Sequence, residues 1–304
     1  MFAPPRWIQE LVGPARTVAG DPHDGLTLSV TAVPHATFVR VRVHELNHLD
    51  SLSFEQRVVQ AYRLIAEALR GRPASHPVRF WNQIPGIHTQ MRSGVDRYMA
   101  FNSARFTAFQ EWFGDDTAFD RAIATSTGVG HQGPDVVIDA LAADNPGLHV
   151  QNPRQRKPVG YSKRYGPFPP CFARATITNC CRSEPRVLIG GTASVLGEES
   201  MHPGDLSAQT AETFCNLASL VRASVAASRG AASDCQDRRT FAAIESARVY
   251  YAQNSPAQVV RGLIEHYLPH LSDIEYVRAD LCRAELLIEI EGVARIKALT
   301  DEPP

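Results

Sequence analysis

Two glutamates near the end of the sequence, Glu289 and Glu291, have a spacing that could serve acid catalysis. The segment 286–296 alternates them with Ile288 and Ile290, so a strand would place both carboxylates on one face and both isoleucines on the other. Glu289 follows a run of apolar residues, and burial there would raise the pKa of its carboxyl and suit it to general acid catalysis near neutral pH. A role for Glu289 as the partner of a neighbouring arginine is an equally good explanation.

A second candidate is Arg174, which lies in the segment CFARATI. The planar guanidinium group matches a carboxylate, so this arginine would bind an acidic substrate if its side chain faced a cleft. The residues alone favour an exposed strand arginine, because lone arginines mostly face solvent. Cys282 precedes the strand of the two glutamates, and a free cysteine is most often a small buried hydrophobic residue.

A possible zinc motif, H-E-x-x-H, begins at His44 and ends at His48. Such a pair binds zinc only when a helix puts both imidazoles on one face. Here the histidines follow an alternating segment and precede Ser53, the predicted cap of the next helix, so we expect them at a strand end or in a loop. P-loop and G-x-S-x-G motifs do not occur in the sequence. We therefore expect no metal, and chemistry without a cofactor.

Length and composition exclude several classes of protein. The 304 residues are enough for two domains of about 150 residues each. Lys and Arg total 31 against 32 Asp and Glu, so no general electrostatic field favours a nucleic acid as partner. No apolar run approaches the roughly 18 residues that span a bilayer, and the first residues lack the layout of a signal peptide. We expect a cytoplasmic protein without a membrane partner, whose six cysteines are free thiols.

The elements that would position these residues form two similar series. The first is predicted to contain strands at 27–34, 37–45, 78–86, 123–130 and 135–143, with helices from Ser53 to Gly71 and at 95–114. The second is predicted to contain strands at 171–179, 187–195, 241–252 and two closing segments, with helices at 206–226 and 255–268. This order predicts an α+β protein of two units, each a mixed sheet with helices on one face. The predicted domains are residues 1–150 and 151–304.

Five sequence blocks resemble the chorismatases, a branch related to the YjgF/RidA group. The second half contains YSKRYGPFPPCFARATI, LIGGTASVLGEESMHPGDLSAQTAETFCNL and YVRADLCRAELLIEIEGVA, and the first half contains RFWNQIPGI and YMAFNSARFTAF. The resemblance covers most of the chain. It implies two tandem YjgF/RidA-like (chorismate-mutase-like) domains, with the main catalytic residues in the second domain and no metal or organic cofactor.

The resemblance also implies roles for individual residues. Glu289 would protonate the enol ether of chorismate, while Arg174 and Tyr161 would hold a substrate carboxylate. Arg261, in the segment QVVRGLIEH, would be a further carboxylate ligand. The resemblance also implies that Gln209 and Glu198 lie near the pocket. Alternatively, these two polar residues have structural roles in a helix and a loop.

Three positions resemble the chorismatases that form 3-hydroxybenzoate: Cys282, Gly190 and Gln155. For the hydrolytic subgroup, the resemblance implies alanine at the position of Gly190 and an apolar residue at the position of Gln155. In the first subgroup the 4-hydroxyl of the substrate displaces the side chain, and the resulting arene oxide opens and aromatises with help from the cysteine. A glycine would let the ring tilt and change which nucleophile lies near the reacting carbon.

The expected function is therefore conversion of chorismate to 3-hydroxybenzoate and pyruvate, which would supply an aromatic acid for secondary metabolism. Three alternatives remain open: a hydrolytic chorismatase that forms a dihydroxycyclohexadiene carboxylate, a RidA-like imine hydrolase, and a metabolite-binding protein without turnover. Chorismate is the expected partner. Both a monomer and a homotrimer agree with the sequence, because small YjgF-like proteins form trimers and a tandem chain could satisfy part of that contact internally.

Overall fold

The computed structural model describes residues 2–13, 17–19, 25–92, 94–114, 119, 122–180, 184–229, 237–272 and 274–296. The first half contains helices α1 (Arg6–Val12), α2 (Ser51–Leu69) and α3 (Arg97–Phe113) and strands β1 (Thr17–Ala19), β2 (Leu26–Val33), β3 (Ala36–Val43), β4 (His76–Pro85), β5 (Gln90–Arg92), β6 (Val95–Asp96), β7 (Thr125–His131) and β8 (Val136–Ala143). Six of these strands form one sheet in the order β1-β2-β3-β8-β4-β7. Only the pair β4 and β7 is parallel within this sheet as described.

The second half forms a sheet of the same design. It contains strands β9 (Leu148–Val150), β10 (Ala175–Thr178), β11 (Arg186–Ala193), β12 (Val195–Leu196), β13 (Glu199–Ser200), β14 (Ile244–Tyr251), β15 (Ile274–Arg278) and β16 (Ile288–Arg295) and helices α4 (Leu206–Arg229), α5 (Asp237–Ala242) and α6 (Ala257–Tyr267). The sheet order is β15-β14-β16-β11-β10-β9, and β14 and β15 form its parallel pair. Each strand therefore has a counterpart in the first sheet.

This repeat confirms the predicted α+β class with two related units. Helices α2 and α3 pack on each other, and α2 lies against β3 and β8 on one face of the first sheet. Helix α4 covers the corresponding face of the second sheet, where it contacts β11, β16, β10 and β9. The last strand of the first sheet ends at Ala143, and the first strand of the second sheet begins at Leu148. The division into domains 1–150 and 151–304 stays a prediction.

Helix α2 illustrates how the sequence forms these layers. Its buried residues, Phe54, Val58, Ala61, Tyr62, Ile65 and Leu69, recur at helical spacing and form the apolar stripe that faces the sheet. The helix begins at Ser51 rather than at Ser53, so the predicted cap is wrong. Asp50 is the cap, and its Oδ1 accepts a hydrogen bond of 2.9 Å from the Ser53 backbone N–H. Both Asp and Ser are good N-caps, and two competing candidates lay within one turn.

The two sheets face each other through their helix-free faces. An apolar cluster between them joins Val78 and Trp81 of β4 to Leu188 of β11 and Val293 of β16. At Gly130 the halves approach so closely that a Cβ would lie 2.9 Å from Asp280 Cβ. A residue with a side chain at position 130 would therefore separate the sheets.

The strand predicted for 171–179 begins only at Ala175. The preceding residues cross towards the first sheet, where the Ala173 backbone N–H donates to the Ala124 carbonyl at 3.1 Å. Arg174 consequently lies at the end of β10, at the junction of the two halves. The predicted strand 241–252 also begins later, at Ile244, because residues Asp237–Ala242 are helical.

The histidines of the H-E-x-x-H motif lie where the sequence predicted. His44 follows strand β3, and His48 ends the 3₁₀-helix Leu46–His48. The Nε2 atom of His44 is 2.6 Å from Thr27 Oγ1 on the neighbouring strand. The two imidazoles are therefore not placed by one α-helix. Separately, the described helices include none that is long and apolar enough to cross a membrane.

Candidate active site

A cavity with a volume of about 390 Å³ lies between the two halves of the chain. Helix α3 and strand β7 line it from the first half, and the segments 161–174, 191–195 and 282–289 line it from the second half. This volume is within the usual range of about 300–1,000 Å³ for small-molecule sites. The resemblance to the family implies an active site in the second half of the chain. In the structure, residues of the first half form one wall of this cavity.

Strand β16 places Glu289 in this cavity with only 4% of its surface exposed. Burial is the main cause that raises the pKa of this carboxyl to about 8, and the negative charge of Glu291 adds to it. The guanidinium groups of Arg79 and Arg174 act in the opposite direction and are the smaller influences. At neutral pH the carboxyl is therefore mostly protonated and able to donate a proton.

A glycine lies directly beneath this carboxyl. A Cβ built on Gly191 would overlap Glu289 Oε1, so only a residue without a side chain leaves the carboxyl in place. The Gly191 backbone N–H donates to Thr127 Oγ1 at 3.0 Å, which fixes this part of β11 against β7. Gly190, the position implied by the resemblance, does not line the cavity, and a Cβ there would lie 3.0 Å from the Arg174 carbonyl oxygen. The structure thus brings Gly191, and not Gly190, to Glu289.

Replacing Gly191 by alanine is expected to lower kcat by about 10²-fold, because the added methyl group pushes the Glu289 carboxyl out of position. The melting temperature should change little, since the displaced atoms are the end of a flexible side chain. Gly190→Ala is the comparison: its methyl group meets backbone, so stability should fall. Steady-state kinetics and thermal melting of both variants measure this. A Gly191→Ala enzyme with unchanged kcat would contradict this placement.

Arg174 is buried in the cavity wall rather than exposed, with 7% of its surface accessible. Its Nη2 donates a hydrogen bond of 2.6 Å to Tyr161 Oη, and its guanidinium carbon lies 4.9 Å from the centre of the Phe172 ring. Its Nε has no hydrogen-bond partner in the part of the chain that the structure describes. A buried donor without a partner costs free energy, and an anion in the cavity would satisfy it.

A second buried cation, Arg105 on helix α3, was not predicted from the sequence. It is 2% exposed and lines the same cavity, where its Nη2 donates to Asn102 Oδ1 at 2.7 Å. Arg105 Nε and Asn102 Nδ2 are buried donors that also lack partners among the described residues. Both residues lie in the block YMAFNSARFTAF. Polar residues three positions apart on an otherwise apolar helix face were the signal that could have revealed them.

Cys282 lines the cavity beside Glu289 and is partly buried. Burial raises the pKa of its thiol to about 12, and the nearby charge of Glu289 adds to this shift. At neutral pH the side chain is therefore a thiol and not a thiolate, which is the nucleophilic form of cysteine. Its position suits proton exchange with a substrate more than covalent attack.

Two predicted glutamines lie near the cavity but do not line it. Gln209 donates to the Glu285 carbonyl at 2.8 Å and accepts from the Leu287 backbone N–H at 2.8 Å. It thereby fixes the segment that carries Cys282 into β16. Gln155 donates to the Val195 carbonyl at 3.1 Å. The structure gives both glutamines contacts to backbone that shape the wall of the site.

Two further predicted residues, Arg261 and Glu198, also do not line the cavity. Arg261 is exposed on α6, whose buried residues are Val260 and Ile264, and its guanidinium group lies 4.2 Å from the Tyr276 ring centre. The helix therefore directs this arginine outward, and its implied contact with substrate receives no support. Glu198 accepts a hydrogen bond of 3.0 Å from the Ser162 backbone N–H, which anchors the loop of Tyr161.

Comparison with known proteins decides the family. The model for the N-terminal part of FkbO/Hyg5-like chorismatases matches residues 16–142. A 3-hydroxybenzoate synthase of Streptomyces hygroscopicus is 33% identical over 237 residues, which cover 77% of this chain and 67% of the relative. The chain belongs to the chorismatase family. A chorismatase of Streptomyces rapamycinicus is 30% identical over 71% of this chain and 63% of its own length.

A solved structure supports the family at the level of fold. The crystal structure of a chorismatase superimposes with a TM-score of 0.75 and 25% identity, and the match covers 92% of this chain and 80% of the other. The chain therefore has the tandem fold expected of a chorismatase. It spans about two thirds of the length of the curated chorismatase relatives, at 67% and 63%.

Proposed function

We propose that this protein converts chorismate to 3-hydroxybenzoate and pyruvate. The observation that carries the proposal is a protonated carboxyl, Glu289, in one cavity with two buried guanidinium groups, Arg174 and Arg105. The Nε donor of each arginine has no hydrogen-bond partner among the described residues. Chorismate carries two carboxylates and an acid-sensitive vinyl ether, so these groups match its reactive parts. The relative named 3-hydroxybenzoate synthase supports the choice of product.

The two arginines hold the dianion by its two ends. Arg174, with the Tyr161 hydroxyl, binds one carboxylate, and Arg105, with the Asn102 amide, binds the other. Charge-assisted hydrogen bonds of this kind are short and about twice as strong as neutral ones. Because the two arginines lie on opposite halves of the chain, binding at both fixes the orientation of the ring between them.

Glu289 then protonates the terminal methylene of the enolpyruvyl group. The resulting oxocarbenium ion lies beside the newly formed carboxylate, which stabilises the positive charge. As the bond from ring carbon C3 to the ether oxygen breaks, the oxygen on C4 bonds to C3 and pyruvate leaves. The proton of the 4-hydroxyl group passes to the Glu289 carboxylate, so the donor is regenerated.

The arene oxide formed in this way opens and loses a ring proton to become aromatic. Cys282 lies where a thiol can assist that proton exchange, and its protonated state suits the task. The two products together contain all the atoms of chorismate, so the reaction consumes no water. The hydrolytic alternative requires one water molecule for each turnover, and its product is not aromatic.

Purified protein with chorismate alone tests the proposal. Chromatography with mass detection should show pyruvate and 3-hydroxybenzoate in equal amounts. A diene diol acid in place of the aromatic acid would assign the protein to the hydrolytic reaction. Turnover of amino-acid-derived imines without turnover of chorismate, or binding of chorismate without turnover, would overturn the proposal.

The pH dependence of kcat/KM follows from the raised pKa of Glu289. The active form is protonated, so activity is retained below pH 8 and lost as the pH rises through about 8. A bound dianion disfavours ionisation of the carboxyl further, so the loss of kcat should occur at higher pH than the loss of kcat/KM. Initial rates of pyruvate release between pH 6 and 10 measure both. A profile governed by a carboxyl of ordinary pKa would contradict this assignment.

We also propose that the protein acts in the cytoplasm, as a monomer or a homotrimer. The cavity contains residues of both halves of one chain, so a single chain supplies the proton donor and both arginines. Light scattering coupled to size-exclusion chromatography measures the assembly. A monomer with full activity would show that no neighbouring subunit completes the site.

A further inference from the structure

Glu291 is the most densely hydrogen-bonded carboxylate of the described interior. Its Oε2 accepts from Arg79 Nη2 at 2.7 Å and from Thr127 Oγ1 at 2.6 Å. Its Oε1 accepts from Trp81 Nε1 at 3.0 Å and from Tyr250 Oη at 3.1 Å. Four donors converge on one side chain that is only 3% exposed.

This arrangement fixes Glu291 as an anion. All four neighbours donate, and a carboxylate accepts such bonds whereas a protonated carboxyl would lose part of them. Arg248 adds a further positive charge in the vicinity. Burial raises the pKa of the Tyr250 hydroxyl well above its usual range, and the charge of Glu291 adds to this effect, so the tyrosine keeps the proton that it donates.

The buried ion pair between Arg79 and Glu291 is not expected to add much to the stability of the fold. Arg79 is 1% exposed, and removal of two charges from water costs about as much as their attraction returns. Three of the four donors, Arg79, Trp81 and Thr127, come from the first half of the chain. Residues of the first half therefore hold Glu291, which belongs to the second half. Glu291 lies on the same face of β16 as Glu289.

Two connections lead from Glu291 to Glu289. The carboxylates are two residues apart on one face of a strand, so the fixed charge acts directly on the second carboxyl. Thr127, which donates to Glu291, also accepts the Gly191 backbone N–H at 3.0 Å. Gly191 is the residue on which the Glu289 carboxyl lies.

We propose that Glu291 is a positioning residue for the reaction: its fixed negative charge, held by Arg79 and Thr127 of the first half, keeps Glu289 protonated at neutral pH. This inference rests on the proposed function, in which Glu289 donates the proton. It gives the first half of the chain a part in proton donation, in addition to substrate binding through Arg105.

Other charged or titratable groups also face Glu289. Arg79 of β4 and Arg174 before β10 are cations that favour its ionised form. Tyr98 of α3 and Cys282 before β16 are raised in pKa by burial, with the charge of Glu289 as a smaller cause, so both are neutral near pH 7. Glu291 is the negative charge among the described neighbours that disfavours ionisation of Glu289 at that pH.

The test is the pH profile of kcat/KM for Glu291→Gln, which keeps the shape and removes the charge. We expect activity close to wild type near pH 6 and a loss of activity with rising pH that begins about one unit or more lower than in wild type. A merely structural role would lower activity at every pH without moving the profile. An unmoved profile would overturn the inference.

Asp139→Asn is the matched control. Asp139 lies on β8, the counterpart of β16, is 1% exposed, and pairs with Arg40 at 2.6 and 2.7 Å. This variant also breaks a buried ion pair, so it should lose stability while its pH profile stays in place. If Glu291→Gln does not fold, the double variant Arg79→Met with Glu291→Gln leaves no unpaired charge. A profile moved to lower pH supports the inference, and one at or above the wild-type position overturns it.

A measurement without substrate separates this inference from the proposed function. The infrared difference between the wild type and Glu289→Gln reports the protonated carboxyl of Glu289 as a function of pH. In the Glu291→Gln background that carboxyl should ionise about one unit or more lower. Failure of the wild type to turn over chorismate overturns the proposed function, whereas an unchanged infrared titration overturns the role of Glu291.

Discussion

Replacing Glu289 by glutamine should abolish the release of pyruvate, with a loss in kcat of about 10²–10⁴-fold. The amide keeps the size of the side chain and its place over Gly191, but it has no proton of suitable acidity to give to the vinyl ether. Binding of chorismate should persist, because the arginines that hold the carboxylates are unchanged. A coupled assay for pyruvate and calorimetric titration with chorismate measure the two effects separately.

The melting temperature of the Glu289→Gln variant shows whether the variant is folded. In the wild type, the buried Glu289 stays protonated at pH values where the same carboxyl in the unfolded chain ionises, so the stability of the folded protein falls as the pH rises from 4.5, the ordinary pKa of this carboxyl, to about 8. Glutamine does not ionise, and its melting temperature should therefore exceed that of the wild type above this pH. A Glu289→Gln protein that folds and still releases pyruvate at the wild-type rate would remove the proton donor from the mechanism.

The second large effect is expected for Arg105→Met, which removes the cation supplied by helix α3. Hydrogen bonds to charged groups contribute about 1.5–3 kcal/mol each, so kcat/KM should fall by about 10–150-fold. KM should rise through lost binding, and kcat should fall as well, because the ring is then held at one end only. Steady-state kinetics across a wide range of chorismate concentrations separate the two constants.

Two further arginines make this prediction specific. Arg63→Met is the matched control, because Arg63 forms an exposed ion pair with Glu111 outside the cavity. Its kinetics should equal those of the wild type. Arg261→Met distinguishes the structure from the family resemblance, since Arg261 lies outside the cavity on α6. A large loss for Arg261→Met together with full activity of Arg105→Met would reject the proposed carboxylate sites.

The sequence predicted the parts of this site that depend on local patterns. Alternation in the last strand placed Glu289 and Glu291 on one face, and β16 confirms that placement. For Glu289 the sequence left two alternatives open, a proton donor or an arginine partner; in the structure the carboxylate that pairs with Arg79 is Glu291, and the pKa of Glu289 is raised by burial. Local periodicity cannot distinguish them, because the partner lies 212 positions away in the sequence.

The parts that were missed depend on contacts between the halves. In the sequence Arg105 is one polar residue on a predicted helix, and only the fold brings it to the same cavity as Arg174. The residue type of Arg174 favours an exposed arginine, but its side chain is buried because the chain crosses to Ala124 before β10 begins. The choice between Gly190 and Gly191 requires the position of the Glu289 carboxyl to within a methyl group. Such distances arise only from tertiary packing.

The repetition of one strand order within a single polypeptide has a consequence for how this cavity can change. Where a cleft forms between identical subunits, every substitution appears in both of the subunits that form its walls. Covalent duplication removes that symmetry: the wall that delivers the proton and the wall that grips the far end of the dianion are encoded separately. Mutation and selection can therefore change the residues around Arg105 in the first half without changing those around Glu289 in the second half.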